Sequence, residues 1–192
     1  MTYEQFMNEC KAACRERNAC AEGYAELLRA ENVVEILTVA VHNWNDVYKS
    51  KYADIVAANV IRWYKELKSD FNEAGIFVNE EIRKGIAFVC HTDKVLTFGG
   101  NARVYVFDKA HVVARDSSDV YCRSEEAEIE LYDNSYGKIE KGKVWAYDWS
   151  QVESHQECFC HHHSNVVISS GIAHDFGHRM LSTSENVTVI KS

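Results

Sequence analysis

Beyond Gly85 the apolar residues stop recurring at helical spacing, and from Leu96 a period of eight residues takes over. Laid out without gaps it reads LTFGGNAR, VYVFDKAH, VVARDSSD and VYCRSEEA, and it can be followed through VWAYDWSQ to ISSGIAHD. The first column holds Leu96, Val104, Val112, Val120, Val144, Val152, Cys160 and Ile168. The third holds Phe98, Val106, Ala114, Cys122 and Ala146, and the fifth favours turn formers: Gly100, Asp108, Asp116, Ser124 and Asp148. Two alternate inward residues followed by a turn cannot bury their own apolar face, but stacked copies form a continuous thin core and a ladder of backbone hydrogen bonds. The period therefore predicts a flattened β-solenoid with two short strands and about sixteen residues per coil. The complete absence of proline agrees, because every amide in such a ladder is wanted as a donor. A sandwich of hairpins competes, but its Asn-Gly and Asp-Gly turns are missing. The register slips by one near Ile129–Leu131 and is regained by Val144, which predicts a bulge and its correction.

The first half has a different period. Thr2 with Gln5 three residues on forms a capping-box pattern, and Phe6, Cys10, Ala13 and Cys14 follow at helical spacing. Further helices are predicted over 19–30, 32–44 and 52–74, with His42–Asp46 as a link. Each has one apolar face and must pack on a neighbour. The expected fold class is α+β: an N-terminal helical cap, residues 1–78, followed by a small, β-helix-like β-solenoid repeat domain, residues 79–192.

The segment Val144-Trp145-Ala146-Tyr147-Asp148-Trp149-Ser150 resembles repeats of the type V-x-A-Y-D-S-A-T, and Val104–Asp108 and Val112–Asp116 match the same grammar. Such repeats occur in uncharacterised proteins of phages, prophages and other bacterial mobile elements. The resemblance spans about 90 residues and implies a mobile-element accessory protein without assigning any chemistry.

Lys and Arg number 21 against 29 Asp and Glu, a net charge of -8. Within 116–140 eight acids face only Arg123 and Lys138. A surface that grips phosphate backbones carries the opposite sign, so direct nucleic-acid binding is disfavoured. An acidic face that imitates nucleic acid for a basic partner stays open. No apolar run approaches the roughly 20 residues of a membrane helix, and no export signal is visible at the N-terminus. Seven cysteines, an odd number, fit small buried hydrophobes in a reducing cytoplasm better than a disulfide scaffold.

The densest chemistry lies in His155–His163, joined by His174, Asp175 and His178. On a strand, Cys158, Cys160 and His162 would share a face. A sixteen-residue coil would put His174 above Cys158 and His178 above His162. Rungs about 4.8 Å apart would let such a set hold zinc, which suits mixed thiolate and imidazole ligands. The candidate metal set is Cys158, Cys160, His162, His174 and His178; core and surface packing is the competing reading. No catalytic cofactor is implied. There is no G-x-S-x-G, Walker or G-x-G-x-x-G motif. His111, Asp116 and Ser117 form a triad only on paper, and Glu128 with Glu130 reads as a solvated strand face. The sequence thus points to a non-enzymatic interaction or structural module acting on a protein partner, with inhibition of a host protein as one such role, and self-associating as a homo-oligomer. The alternatives are a zinc protein and an acidic nucleic-acid mimic.

Overall fold

The computed structural model describes residues 1–49, 51–177 and 180–191. The chain divides into two compact units, Met1–Ile76 and Phe77–Ser192.

The first unit is helical. Helix α1 (Tyr3–Glu16) starts at Thr2, whose side chain accepts from the Gln5 amide while Gln5 reaches back to the Thr2 amide, the capping box expected. Helices α2 (Ala21–Arg29) and α3 (Val33–His42) follow, then a π-helical turn Asn45–Lys49 and α4 (Ala53–Glu66). The single helix expected over 52–74 is broken at Leu67, and α5 (Lys68–Glu73) starts anew. The break sets Phe71 edge-on to Tyr64 at 5.6 Å and beside Phe6 at 6.4 Å, so it closes the small core rather than extending past it. Glu9 accepts both Arg62 nitrogens (3.1 and 2.6 Å) and the Trp63 indole N–H (2.6 Å). The Arg62 hydrogen bond holds its carboxyl below the ordinary range.

The second unit is a parallel β-solenoid of about seven turns, as the eight-residue period predicts. One wall is built by β2 (Ile86–Val89), β4 (Arg103–Val106), the first part of β6 (Asp119–Leu131), the first part of β7 (Tyr136–Ala146), β8 (Gln151–Ser154), β10 (Asn165–Ile168) and β12 (Met180–Thr183). The second is built by β3 (Val95–Phe98), β5 (Ala110–Ala114), the latter parts of β6 and β7, β9 (Glu157–Cys160), β11 (Gly171–Asp175) and β13 (Val187–Lys191). Strand β1 (Ile76–Val78) adds to β2. The first and third sequence columns are the interior: Val104, Val112, Val120, Val144, Phe98, Ala114, Cys122 and Ala146 are all sealed from solvent. Interior side chains stack in register, as in Leu96–Val112–Ile129–Val144–Cys158–Ala173.

The coil length is not constant. On the first wall Ile86 pairs with Arg103, 17 positions on, and Arg103 with Asp119, 16 on. Asp119 pairs with Tyr136 (17), Tyr136 with Gln151 (15), Gln151 with Asn165 (14) and Asn165 with Met180 (15). The predicted slip has its origin upstream of Ile129: β6 and β7 lose register between Cys122 and Glu128, where the two strands bend from one wall to the other.

A second corner recurs in most coils. Asp116, Asp133 and Asp148 adopt left-handed backbone (φ 58, 57 and 53°), and the serine two residues later is buried. Short polar side chains tolerate that conformation best after glycine. Ser118, Ser135 and Ser164 each donate Oγ–H to the carbonyl three residues back, at 2.7, 2.7 and 2.6 Å. In the first coil the left-handed residue is Gly100 (φ 58°), and a β-carbon there would lie 2.2 Å from the Arg83 carbonyl oxygen.

Candidate functional site

The shortened late coils decide where the His/Cys cluster goes. Cys158 pairs with Ala173 and Cys160 with Asp175, an offset of fifteen rather than the expected sixteen. A one-residue change of register sends every side chain to the opposite face. His174 therefore does not lie above Cys158. It lies outside, ring on ring with Phe159 at 4.4 Å and 6°, with Nε2 3.1 Å from Glu157 Oε1. Cys158 and Cys160 do share a face, but it is the interior. Both are fully buried, and the Cys160 thiol contacts Cys158 Sγ at 3.8 Å. That contact and burial push the Cys158 thiol well above its ordinary range. His162 does not continue the cysteine face: it belongs to the exposed turn after β9. His178 falls outside the described residues. Of the four proposed ligands among the described residues, the structure brings together only the two cysteines. Among the described residues no group of three or more His, Cys, Asp and Glu side chains is arranged to hold a metal ion.

The outer face of the second wall collects the side chains that the interior does not take. Its centre is a pair of ladders of planar groups. Trp145, Phe159 and His174 stack at 4.8 and 4.4 Å, with interplanar angles of 5 and 6°. Beside them runs Tyr132–Tyr147–His161–Phe176, at 4.7, 4.3 and 4.9 Å. The Arg115 guanidinium closes the lower end, 4.4 Å from the Tyr132 ring. At the following corner Trp149 stacks on His163 at 5.0 Å. Parallel in-register strands place like positions one rung apart, which is the stacking distance of aromatic rings. Burial, then the charge of His162, lowers the His161 pKa from its ordinary value.

Polar groups frame the ladders. Glu130 Oε1 lies 2.7 Å from His111 Nε2, and Glu130 Oε2 accepts the Tyr132 hydroxyl at 2.7 Å. Burial, then that bond, pushes Tyr132 up to about 12. Lys143 Nζ lies 3.4 Å from Glu157. Glu128 and Glu130 both face outward; Glu128 is exposed, whereas Glu130 is half-buried between His111 and Tyr132. The paper triad is not assembled: the Asp116 carboxylate takes the Arg83 guanidinium and the Gly100 amide, each at 2.7 Å, and His111 takes Glu130.

These ladders escape a fixed sixteen-residue ruler. Tyr132, Tyr147, His161 and Phe176 are spaced 15, 14 and 15 apart, as are their strands, and only a variable period aligns them. Apolar groups on and beside this face stay exposed: Trp149 is 48% exposed, Ile172 38% and Phe176 37%. Aromatic anchors within a polar rim characterise surfaces that bind proteins. No helix among the described residues is long and apolar enough to cross a membrane. No family model, curated protein or solved structure matches this chain.

Proposed function

We propose that the chain is a non-enzymatic protein-interaction module whose working surface is the outer face of the second wall. The observation that carries this reading is the pair of stacked ring ladders on that face, with Ile172 and Phe176 exposed on the β11 rung and Trp149 exposed at the adjoining corner. Single exposed apolar residues are ordinary, whereas a contiguous apolar patch with a polar frame marks a contact surface. Carboxylates outnumber lysine and arginine in the frame: Glu128, Glu130 and Glu157 line the wall and Asp133 and Asp148 its corner, with Glu130 bonded to His111 and Tyr132, Glu157 to Lys143 and His174, and Arg115 over the Tyr132 ring. The partner that fits is a protein segment with an apolar anchor flanked by lysine or arginine. The repeat grammar supports a mobile-element setting, in which that partner is a host protein.

The test is site-specific crosslinking in the cell that encodes the chain. A photo-reactive amino acid at position 149 or 176 is expected to yield one discrete protein adduct. Excess wild-type chain should block it, and excess chain carrying Trp149→Ser and Phe176→Ser should not. Val167, 48% exposed on the first wall, is the matched control position. No adduct, or the same adduct from position 167, would overturn the reading.

A further inference from the structure

Six of the seven cysteines are buried or half-buried, as small hydrophobes should be, but Cys20 is exposed. Its surroundings are built by the way α1 ends. The Ala19 amide donates to the Cys14 carbonyl at 2.9 Å and the Asn18 amide to the Arg15 carbonyl at 3.3 Å, with Asn18 in the left-handed region (φ 50°). This pair of bonds is a Schellman motif, which folds the chain back over the last turn of the helix. It holds Ala19 against Cys14 and leaves Cys20 one residue beyond. Cys20 is the N-cap of α2, where its sulfur accepts the Gly23 amide at 3.4 Å. A disulfide needs its α-carbons within about 7 Å, and a short span folded back in this way is suited to supply that.

A second observation marks the same place. The Tyr52 hydroxyl is buried with no hydrogen-bond partner of normal geometry among the described residues, and it faces Cys14. An unbonded buried hydroxyl is unfavourable, and a sulfur anion or a sulfur-bound oxygen here would accept from it. Burial, then Cys14, with Asp46 and Cys20 behind them, pushes Tyr52 up to about 12, so both thiols are within its electrostatic reach. Lys51 brings a cation, its Nζ donating to the Asn18 carbonyl. Burial holds the Cys14 thiol above its ordinary value, against Tyr52 and Lys51, which lower it. Cys10, one helical turn earlier, is pushed up to about 12 by burial. Redox-sensitive cysteines are solvent-accessible and have a second thiol at hand. Cys20 is the thiol open to reagent, and Cys14 is the one the turn sets beside it.

We propose that Cys20 and Cys14 form an oxidative modification site, in which hydrogen peroxide oxidises Cys20 and Cys14 closes a reversible disulfide with it. The Cys20 sulfur attacks one peroxide oxygen and the O–O bond breaks. The sulfur becomes a sulfenic acid, and the other oxygen leaves as water with the proton of the Cys20 thiol. The Cys14 sulfur then attacks the sulfenic sulfur. The S–O bond breaks, the S–S bond forms, and the departing hydroxyl takes the Cys14 proton as a second water. Two thiols lose two electrons and one peroxide gains them. The site lies within the helical unit and is independent of the outer-wall surface proposed above.

The experiment treats the full, reduced chain with equimolar hydrogen peroxide, blocks the remaining thiols and digests with trypsin. Cleavage after Lys11, Arg15, Arg17 and Arg29 puts Cys10, Cys14 and Cys20 on different peptides. The expected product is residues 12–15 joined to residues 18–29, separated again by a thiol reductant. Cys20 should be oxidised at least about tenfold faster than in the urea-unfolded chain, where no folded surroundings act on it. Cys14→Ser should halt the reaction at a sulfenic acid on Cys20 that dimedone traps. Cys20→Ser, which keeps a capping side chain on α2, should abolish the product while the melting temperature stays unchanged. Oxidation of Cys20 no faster than in the unfolded chain, a disulfide from Cys20 to any other cysteine, or a sulfenic acid that persists on Cys20 beside an intact Cys14 would each overturn the proposal.

Discussion

On the second wall the early and late coils divide their bulk in opposite ways. In the early coils the interior holds Leu96, Phe98, Ile129 and Leu131, while the outer face carries Thr97, His111, Glu128 and Glu130. In the late coils the interior thins to Ala146, Cys158, Cys160 and Ala173, and the large groups Trp145, Phe159, His161 and Phe176 stand outside. Up to β11 the offset between rungs falls over the same stretch, from 16 and 17 residues to 14 and 15, before returning to 16 between β11 and β13. A shorter coil encloses less volume, so its interior takes smaller side chains. The late coils recover cohesion by stacking rings along the outside, where the rung spacing suits them. Early rungs are held from within, late rungs from without.

The largest test of that contrast is inside. Leu131→Ala should destabilise by about 2–5 kcal/mol, the usual range for a truncated core leucine. Cys158→Ala, which removes one sulfur from an already thin layer, should cost less than half as much. Equal losses in a denaturant titration would erase the distinction between the coils.

A smaller effect probes the outside. The lowered His161 pKa means that the unfolded chain takes up a proton more readily than the folded one. Stability should therefore decline as pH falls through the unperturbed histidine value of about 6.5. His161→Gln should flatten that part of the melting profile, and an unchanged profile would place the acid sensitivity elsewhere.

The smallest effect lies at the corner. The Ser135 hydroxyl donates to the Tyr132 carbonyl, whereas the buried Ser150 hydroxyl has no hydrogen-bond partner. Ser135→Ala should cost about 1 kcal/mol and Ser150→Ala about nothing or slightly stabilise, since burying an unbonded hydroxyl is itself unfavourable. Equal melting shifts would mean that Ser150 is bonded through water.

Much of this architecture was legible in the residues. The Val104, Val112 and Val120 column predicts the interior, Asp116 and Asp148 two of the turns, and Thr2 with Gln5 the first helix cap, while the left-handed backbone of those turns is a finding of the structure. The break at Leu67 was not, because the apolar stripe of 52–74 passes through it unchanged and only tertiary packing of Phe71 selects the bend. The outer ladders were hidden by an assumption of equal coils. That same assumption placed His174 above Cys158, although the two lie on opposite sides of the wall.

The unequal coils also bear on how such a chain can change over generations. Extra residues are absorbed where the chain turns, as between Cys122 and Glu128, and the inward and outward sets on the walls survive. Insertions and deletions at those points leave the fold intact while erasing any fixed period from the sequence. Descendants of one ancestral array can thus keep the same shape and lose the written rhythm by which their kinship would be recognised.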